Sequence, residues 1–169
     1  MKKLAGKLMS IYIAVLMLTI FTLPFGTPVL ADFQKGLDAY DREDYATALK
    51  EWKLLAEEGD PSSQYNLGVM YRMGKGVAQD DKEAARWYRL AAGQGDAGSQ
   101  FLLGSMYLNG IGVPQNNLRA HMWVNIAASQ GIEAAAGERD NLAREMTPED
   151  IVLAQQMAQK CVAKNYKGC

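Results

Sequence analysis

DYATALKEWKLLAEEGDPSSQYNLGVMYRMGKGVAQ, residues 44–79, is followed at once by DDKEAARWYRLAAGQGDAGSQFLLGSMYLNGIGVPQ, residues 80–115. Laid over one another with a 36-residue offset, the two stretches agree outright at sixteen positions, from Asp44/Asp80 and Ala48/Ala84 to Val77/Val113 and Gln79/Gln115. A fixed period of this length signals a solenoid, in which units that cannot bury their apolar faces alone stack on one another.

Within each copy the pattern is helical. Ala48, Leu49, Trp52, Leu55 and Ala56 recur at the spacing of one helix face over Tyr45–Glu58. Asp44 precedes that run as an N-cap, and Gly59 follows it where a left-handed residue ends a helix. Asp60-Pro61 restarts the chain as a second helix near residues 61–72, because proline at the first turn lacks only an N–H that would have no partner anyway. Repeat two predicts helices at Lys82–Gln94 and Ala97–Leu108. Both copies end in Gly-x-Gly-Val, Gly74 to Val77 and Gly110 to Val113, a spacing suited to turns at positive φ with the valine tucked inward. Gly68 and Gly104 recur in register inside the second helices. Glycine costs about 1 kcal/mol there relative to alanine, so close helix–helix approach is expected at both.

The ends depart from this pattern. Phe33–Asp41 predicts a short helix that forms an opening hairpin (32–58) with the first repeat helix. Beyond Gln115, Ala120, Trp123, Ala127, Ala128, Gln130 and Gly131 match Ala84, Trp87, Ala91, Ala92, Gln94 and Gly95. The second helix of that third unit, about residues 133–146, places Gly137, Glu138 and Asp140 where apolar residues or glycine belong, as an end unit (116–146) with one wet face should. Thr147-Pro148-Glu149-Asp150 starts a closing helix (147–169) with Ile151, Ala154, Met157, Ala158 and Cys161 on one side. No strand-like alternation occurs. The expectation is an all-α solenoid of antiparallel helix pairs over residues 32–169.

Residues 1–31 read as a separate segment. Lys2, Lys3 and Lys7 precede an almost continuous apolar run from Ile11 to Leu23, and Val29-Leu30-Ala31 places small residues at a cleavage point. This is the anatomy of a secretory signal peptide cleaved after Ala31. The run is short for an anchor helix, which needs about 20 apolar residues. Its removal takes three of the 18 Lys+Arg and none of the 19 Asp+Glu, leaving a net charge of −4. With no basic block remaining, nucleic acid is not an expected partner, and membrane contact is expected only through the leader before cleavage. The only cysteines, Cys161 and Cys169, can oxidise after export, and an even count favours a disulfide. Closing so short a loop stabilises by about 2–3 kcal/mol in the chain-entropy model. Reactive thiols are the alternative, although redox chemistry is signalled by Cys-x-x-Cys and not by this spacing.

Ala84-x-x-Trp87-Tyr88-x-x-Ala91-Ala92-x-x-Gly95-Asp96 followed by Leu103-Gly104-x-x-Tyr107-x-x-Gly110-x-Gly112-Val113 resembles the Sel-1-like repeat of the tetratricopeptide superfamily. The first copy departs from it at Glu51 and Leu55, with Trp52 in the place of Tyr88. The resemblance implies a right-handed superhelix of antiparallel helix pairs that serves as an adaptor or scaffold, in many cases in bacterial envelopes. The spacing Cys161-x7-Cys169 is similar to that of cysteine-rich Sel-1-like proteins, in which such pairs tie the two helices of a repeat. Cys161 would then correspond to Ala92 and Cys169 to Gln100, and the C-terminus would read as half a repeat clipped shut. Some members of that subgroup have been assigned penicillin binding or β-lactam hydrolysis.

Catalytic patterns are scarce. His121 is the only histidine, which excludes His-x-x-x-His zinc motifs and leaves no metal set. At the position of Ala85 it reads as a partly exposed scaffold residue, since no nucleophile–base–orienter group accompanies it. No serine is followed three residues later by lysine, as serine β-lactamases require. Gly93-Gln94-Gly95-Asp96-Ala97-Gly98 matches Gly-x-Gly-x-x-Gly but follows a helix, so the dinucleotide reading fails its structural condition. No cofactor is expected.

One pattern points to binding. Lys50 and Lys53 project from the first helix opposite its apolar face, Arg86 and Arg89 take the same positions one period on, and Met122 and Asn125 follow. By the family resemblance, first helices line the concave surface. Lys50, Lys53, Arg86 and Arg89, flanked by Trp87, Trp123 and Asn125, would then form a basic groove for an acidic protein segment or cell-wall peptide carboxylates. The plainer alternative is a solvated face whose tryptophans pack inward. The expected protein is a non-catalytic interaction scaffold, periplasmic or secreted. Its rivals are an enzyme acting on β-lactams or cell-wall peptides, and an envelope structural protein without a ligand.

Overall fold

A computed structural model describes residues 28–169. Residues 1–27 of the expected leader lie outside them, whereas the expected cleavage point after Ala31 falls within the first helix, which starts at Pro28 and not at Phe33 as expected. Eight helices and no strand occur among the described residues: α1 (Pro28–Asp41), α2 (Tyr45–Glu57), α3 (Pro61–Met73), α4 (Asp81–Ala92), α5 (Ala97–Asn109), α6 (Asn117–Ser129), α7 (Glu133–Ala143) and α8 (Pro148–Ala163). None of these is long and apolar enough to cross a membrane.

Six of the eight helices start on a side-chain cap, whereas α7 follows Ile132 without one. Asp44 accepts from the Thr47 N–H, Asp60 from Ser63 at 2.6 Å, Asp80 from Lys82 and Glu83, Asp96 from Ser99, Asn116 from Arg119 and Thr147 from Asp150. These bonds satisfy N–H groups that the first helical turn leaves without an intrahelical acceptor. Gly74 and Gly110 close α3 and α5 in the left-handed conformation, at φ 65° and 66°. Val113 is tucked into the core, as expected, whereas Val77 is only half-buried.

Helices pack in chain order, α1 on α2 through to α6 on α7, as a solenoid requires. Trp52, Leu67, Met70 and Trp87 fill the core of the first turn, and Tyr88, Leu103, Met106 and Trp123 that of the second. Fully burying each of these large side chains contributes about 1.5–3 kcal/mol. Gly68 lets α3 reach α4: a Cβ there would lie 2.5–2.9 Å from the Tyr88 ring. Gly104 performs the same task against Val124 of α6. At the Trp87 position of the first copy, Glu51 is buried and paired with Lys35 of α1.

The last helix breaks the order. α8 packs on α6 and makes little contact with α7, so it does not occupy the place of a next repeat's first helix. The expectation of half a repeat at the C-terminus is corrected accordingly. Cys161 and Cys169 are joined by a disulfide. In each full repeat the corresponding eight-residue link is a hydrogen bond, Gln64 to the Ala56 carbonyl and Gln100 to the Ala92 carbonyl. Beyond α8 the tail turns back over α4, so that a Cβ on Gly95 would lie 2.9 Å from the Tyr166 ring. Arg119 of α6 donates to the Cys169 carbonyl at 3.0 Å.

Candidate functional site: the face of the first helices

α2, α4 and α6 are the first helices of successive units, and equivalent positions can be compared directly. Lys50 and Lys53 are exposed on α2 and line a shallow depression of about 310 Å³ with Leu54 and Glu57. Arg86 and Arg89 are exposed on α4. Arg86 is gripped through Nε and Nη2 by the Glu83 carboxylate at 2.6–3.0 Å, with its guanidinium 3.9 Å above the Trp87 ring. Arg89 donates to the Tyr107 hydroxyl at 3.1 Å. The four cations occupy equivalent positions of α2 and α4, with Glu83 paired to Arg86 and Glu57 of α2 acting on it electrostatically.

The expected aromatic flanks are elsewhere. Trp87 and Trp123 are 5 % and 2 % exposed and pack in the core, because the 3.6-residue period turns both toward the second helices. Asn125 is half-buried. His121 is 1 % exposed and not partly open as expected. Burial lowers its pKa, as does the positive charge of Arg139, with Asp140 opposing. The unfolded imidazole protonates near pH 6.5 while the buried one still resists. His121 should therefore cost stability as pH falls below about 6.5. Denaturant unfolding at pH 7.5 and 5.0 should show a loss at the lower pH that is smaller in His121→Leu; an equal loss in both proteins would remove His121 as its source.

Two features were not legible from residue types alone. Between units, Gln94 donates to Gln64 Oε1 at 2.8 Å and Gln130 to Gln100 Oε1 at 2.6 Å. Buried Gln64 and Gln100 each also reach a carbonyl of their own unit, so one amide ladder crosses two junctions. The signal was present in the Gln64/Gln100 and Gln94/Gln130 matches, but not its purpose. Gln100→Leu removes the partner of Gln130 and one of two donors to the Ala92 carbonyl, which keeps the Gly95 N–H, and should destabilise by about 1–2 kcal/mol. A double-mutant cycle with Gln130→Ala should show coupling near 1 kcal/mol; additive effects would refute the ladder's role.

The second feature is what α8 covers. Met122 and Ile126 of α6 are each 2 % exposed. Their equivalents, Lys50 and Arg86, Leu54 and Leu90, are all exposed. Where α8 and its tail approach the face they leave two clefts. One, of about 230 Å³, is lined by Arg119, Met122, Met157, Lys160 and Lys164 among others; the other, of about 330 Å³, lies between Arg89, Leu90 and Trp123 and the tail from Tyr166. Among the described residues no group of three or more His, Cys, Asp or Glu is placed to hold a metal.

A family model described as Sel1 repeat matches residues 61–96 and 97–132. Each match joins the second helix of one pair to the first helix of the next, half a unit out of phase with the 44–79 and 80–115 frame. A solved Sel1 repeat protein from Oxalobacter formigenes is 32% identical, with a TM-score of 0.63, and the alignment covers 68% of this chain and 89% of that one. The chain belongs to the Sel1 repeat family. A protective antigen of uropathogenic Escherichia coli strains, displaying an SLR fold, superimposes with a TM-score of 0.75 at 26% identity over 83% of this Sel1 repeat protein. The chain spans only about a third (32%) of that antigen. A search of the curated proteins returned no match. Sel1 repeats generally mediate protein–protein interaction, and the fold is typically a non-catalytic scaffold.

Proposed function

We propose that this Sel1 repeat protein is a non-catalytic adaptor of the bacterial cell envelope that holds an acidic protein segment on the face of α2 and α4. The supporting observation is the register of Lys50, Lys53, Arg86 and Arg89, all exposed on two equivalent helices of a protein whose overall formal charge is −1. A stacked array keeps these groups in place before binding, so little ordering entropy is lost in the receptor. Guanidinium groups suit bidentate contact with carboxylates, and their competition with Glu83 makes the site selective for a partner bearing several acids. The leader-like residues 1–31 and the Cys161–Cys169 disulfide support placement outside the cytosol.

Reversing Arg86→Glu together with Arg89→Glu should abolish most captured partners in crosslinking from a photoreactive residue placed beside Arg86 in intact cells. The circular dichroism spectrum should be unchanged, since both side chains are exposed. A partner set that survives the double reversal would end this reading.

A further inference from the structure

The three first helices differ in what lies on them, and that difference describes the missing occupant. α4 buries Ala84, Ala85, Trp87, Tyr88, Ala91 and Ala92, and α6 buries the equivalents of the first five. α6 buries two more positions, Met122 and Ile126, one helical turn apart. The element that α6 has and α4 lacks as a packing partner is α8. Along the same register the apolar column continues uncovered: Leu90 is 43 % and Leu54 is 56 % exposed. The chain therefore displays a working example of how this face is occupied. The example is a helix that presents Ala154, Met157, Ala158 and Cys161 at positions i, i+3, i+4 and i+7.

We propose that the open part of the face, on α2 and α4, seats an amphipathic helix of a partner protein. Its small and apolar residues would cover Leu54 and Leu90 as α8 covers Met122 and Ile126, with acidic flanks against Lys50, Lys53, Arg86 and Arg89. This rests on the adaptor reading above and adds the form of the bound segment. Two observations favour a helix. The surface is built from side chains of helices and offers no strand edge, so an extended segment would leave its backbone N–H and C=O groups to side chains and water, whereas a helix satisfies its own. The seat is also continuous with the α6–α8 interface, whose tail already borders Leu90 and Arg89. A second copy of α8 does not fit, because its Lys160 and Lys164 would face like charges.

A display library of random 16-residue segments, selected on the purified full chain, tests the proposal. Enriched segments should carry small or apolar residues at i, i+3 or i+4 and i+7 with Asp or Glu beside them. They should bind Leu54→Ser/Leu90→Ser at least tenfold more weakly, and a central proline should cost a similar factor. Acidic segments without helical periodicity, insensitive to that variant but lost on Arg86→Glu/Arg89→Glu, would overturn the helix and leave the adaptor reading standing. No enrichment, or binding indifferent to both variants, would overturn both.

Discussion

Gly112→Ala should destabilise this protein severely, with a loss on the order of 4 kcal/mol and a fall in Tm of about 15 °C. Two effects add at this position. The backbone is at φ +67°, where a side chain on an L-residue is strained by roughly 1–2 kcal/mol. The new Cβ would also overlap the Asp81 carbonyl and lie 2.9 Å from the Lys82 nitrogen, both backbone atoms at the start of α4. Neither can swing aside as a side-chain tip would, so the connector or the helix must move. Gly131→Ala isolates the first effect, since its φ is +94° with nothing within 4 Å of the added carbon. It should cost about 1 kcal/mol. Urea denaturation of both variants decides the matter: equal losses would show that contact with α4 is not what demands glycine at 112.

Gly104→Leu is expected to be nearly as damaging, at about 3 kcal/mol or more. Its first side-chain carbon alone would lie 2.7 Å from Val124 Cγ1, 3.2 Å from the Val124 nitrogen and 3.3 Å from the Ala120 carbonyl. Leucine would hold α5 off α6 and open the second core around Leu103 and Trp123. The control is written into the chain. The equivalent position one period on is Asp140, exposed on α7, and no following helix docks there because α8 turns to α6 instead. Asp140→Leu should therefore change thermal stability by less than about 0.5 kcal/mol. A loss at Asp140 matching that at Gly104 would mean that helix approach is not the reason for glycine.

The same comparison shows where sequence reasoning held and where it ran out. The 36-residue offset, the acidic caps and the paired glycines are local or periodic signals, and each led to a helix boundary within a residue or two of the observed one. The polar end unit was equally legible, because Gly137, Glu138 and Asp140 break a rule that the preceding copies establish. The orientation of α8 was not. Its Ala154, Ala158 and Cys161 stripe shows that one face is buried but not against which neighbour, and the cysteine spacing favoured a continued repeat. Burial of Met122 and Ile126 depends on that non-sequential packing, so only Met122, an apolar residue in a basic column, hinted at it. Trp87 and Trp123 misled for a related reason: they lie one residue from the exposed column, and a rotation of 100° per residue carries them inside.

The returning tail has a mechanical consequence. In a stack where each layer touches only the next, loss of order can begin at either free end. Here the two ends are unequal, because α8, its sulfur bridge, Tyr166 over Gly95 and Arg119 on Cys169 strap α4 and α6 together, while α1 packs chiefly on α2. Melting is thereby given a direction: the molecule should unzip from α1 inward, with deuterium uptake marching along the chain toward a clamped terminus.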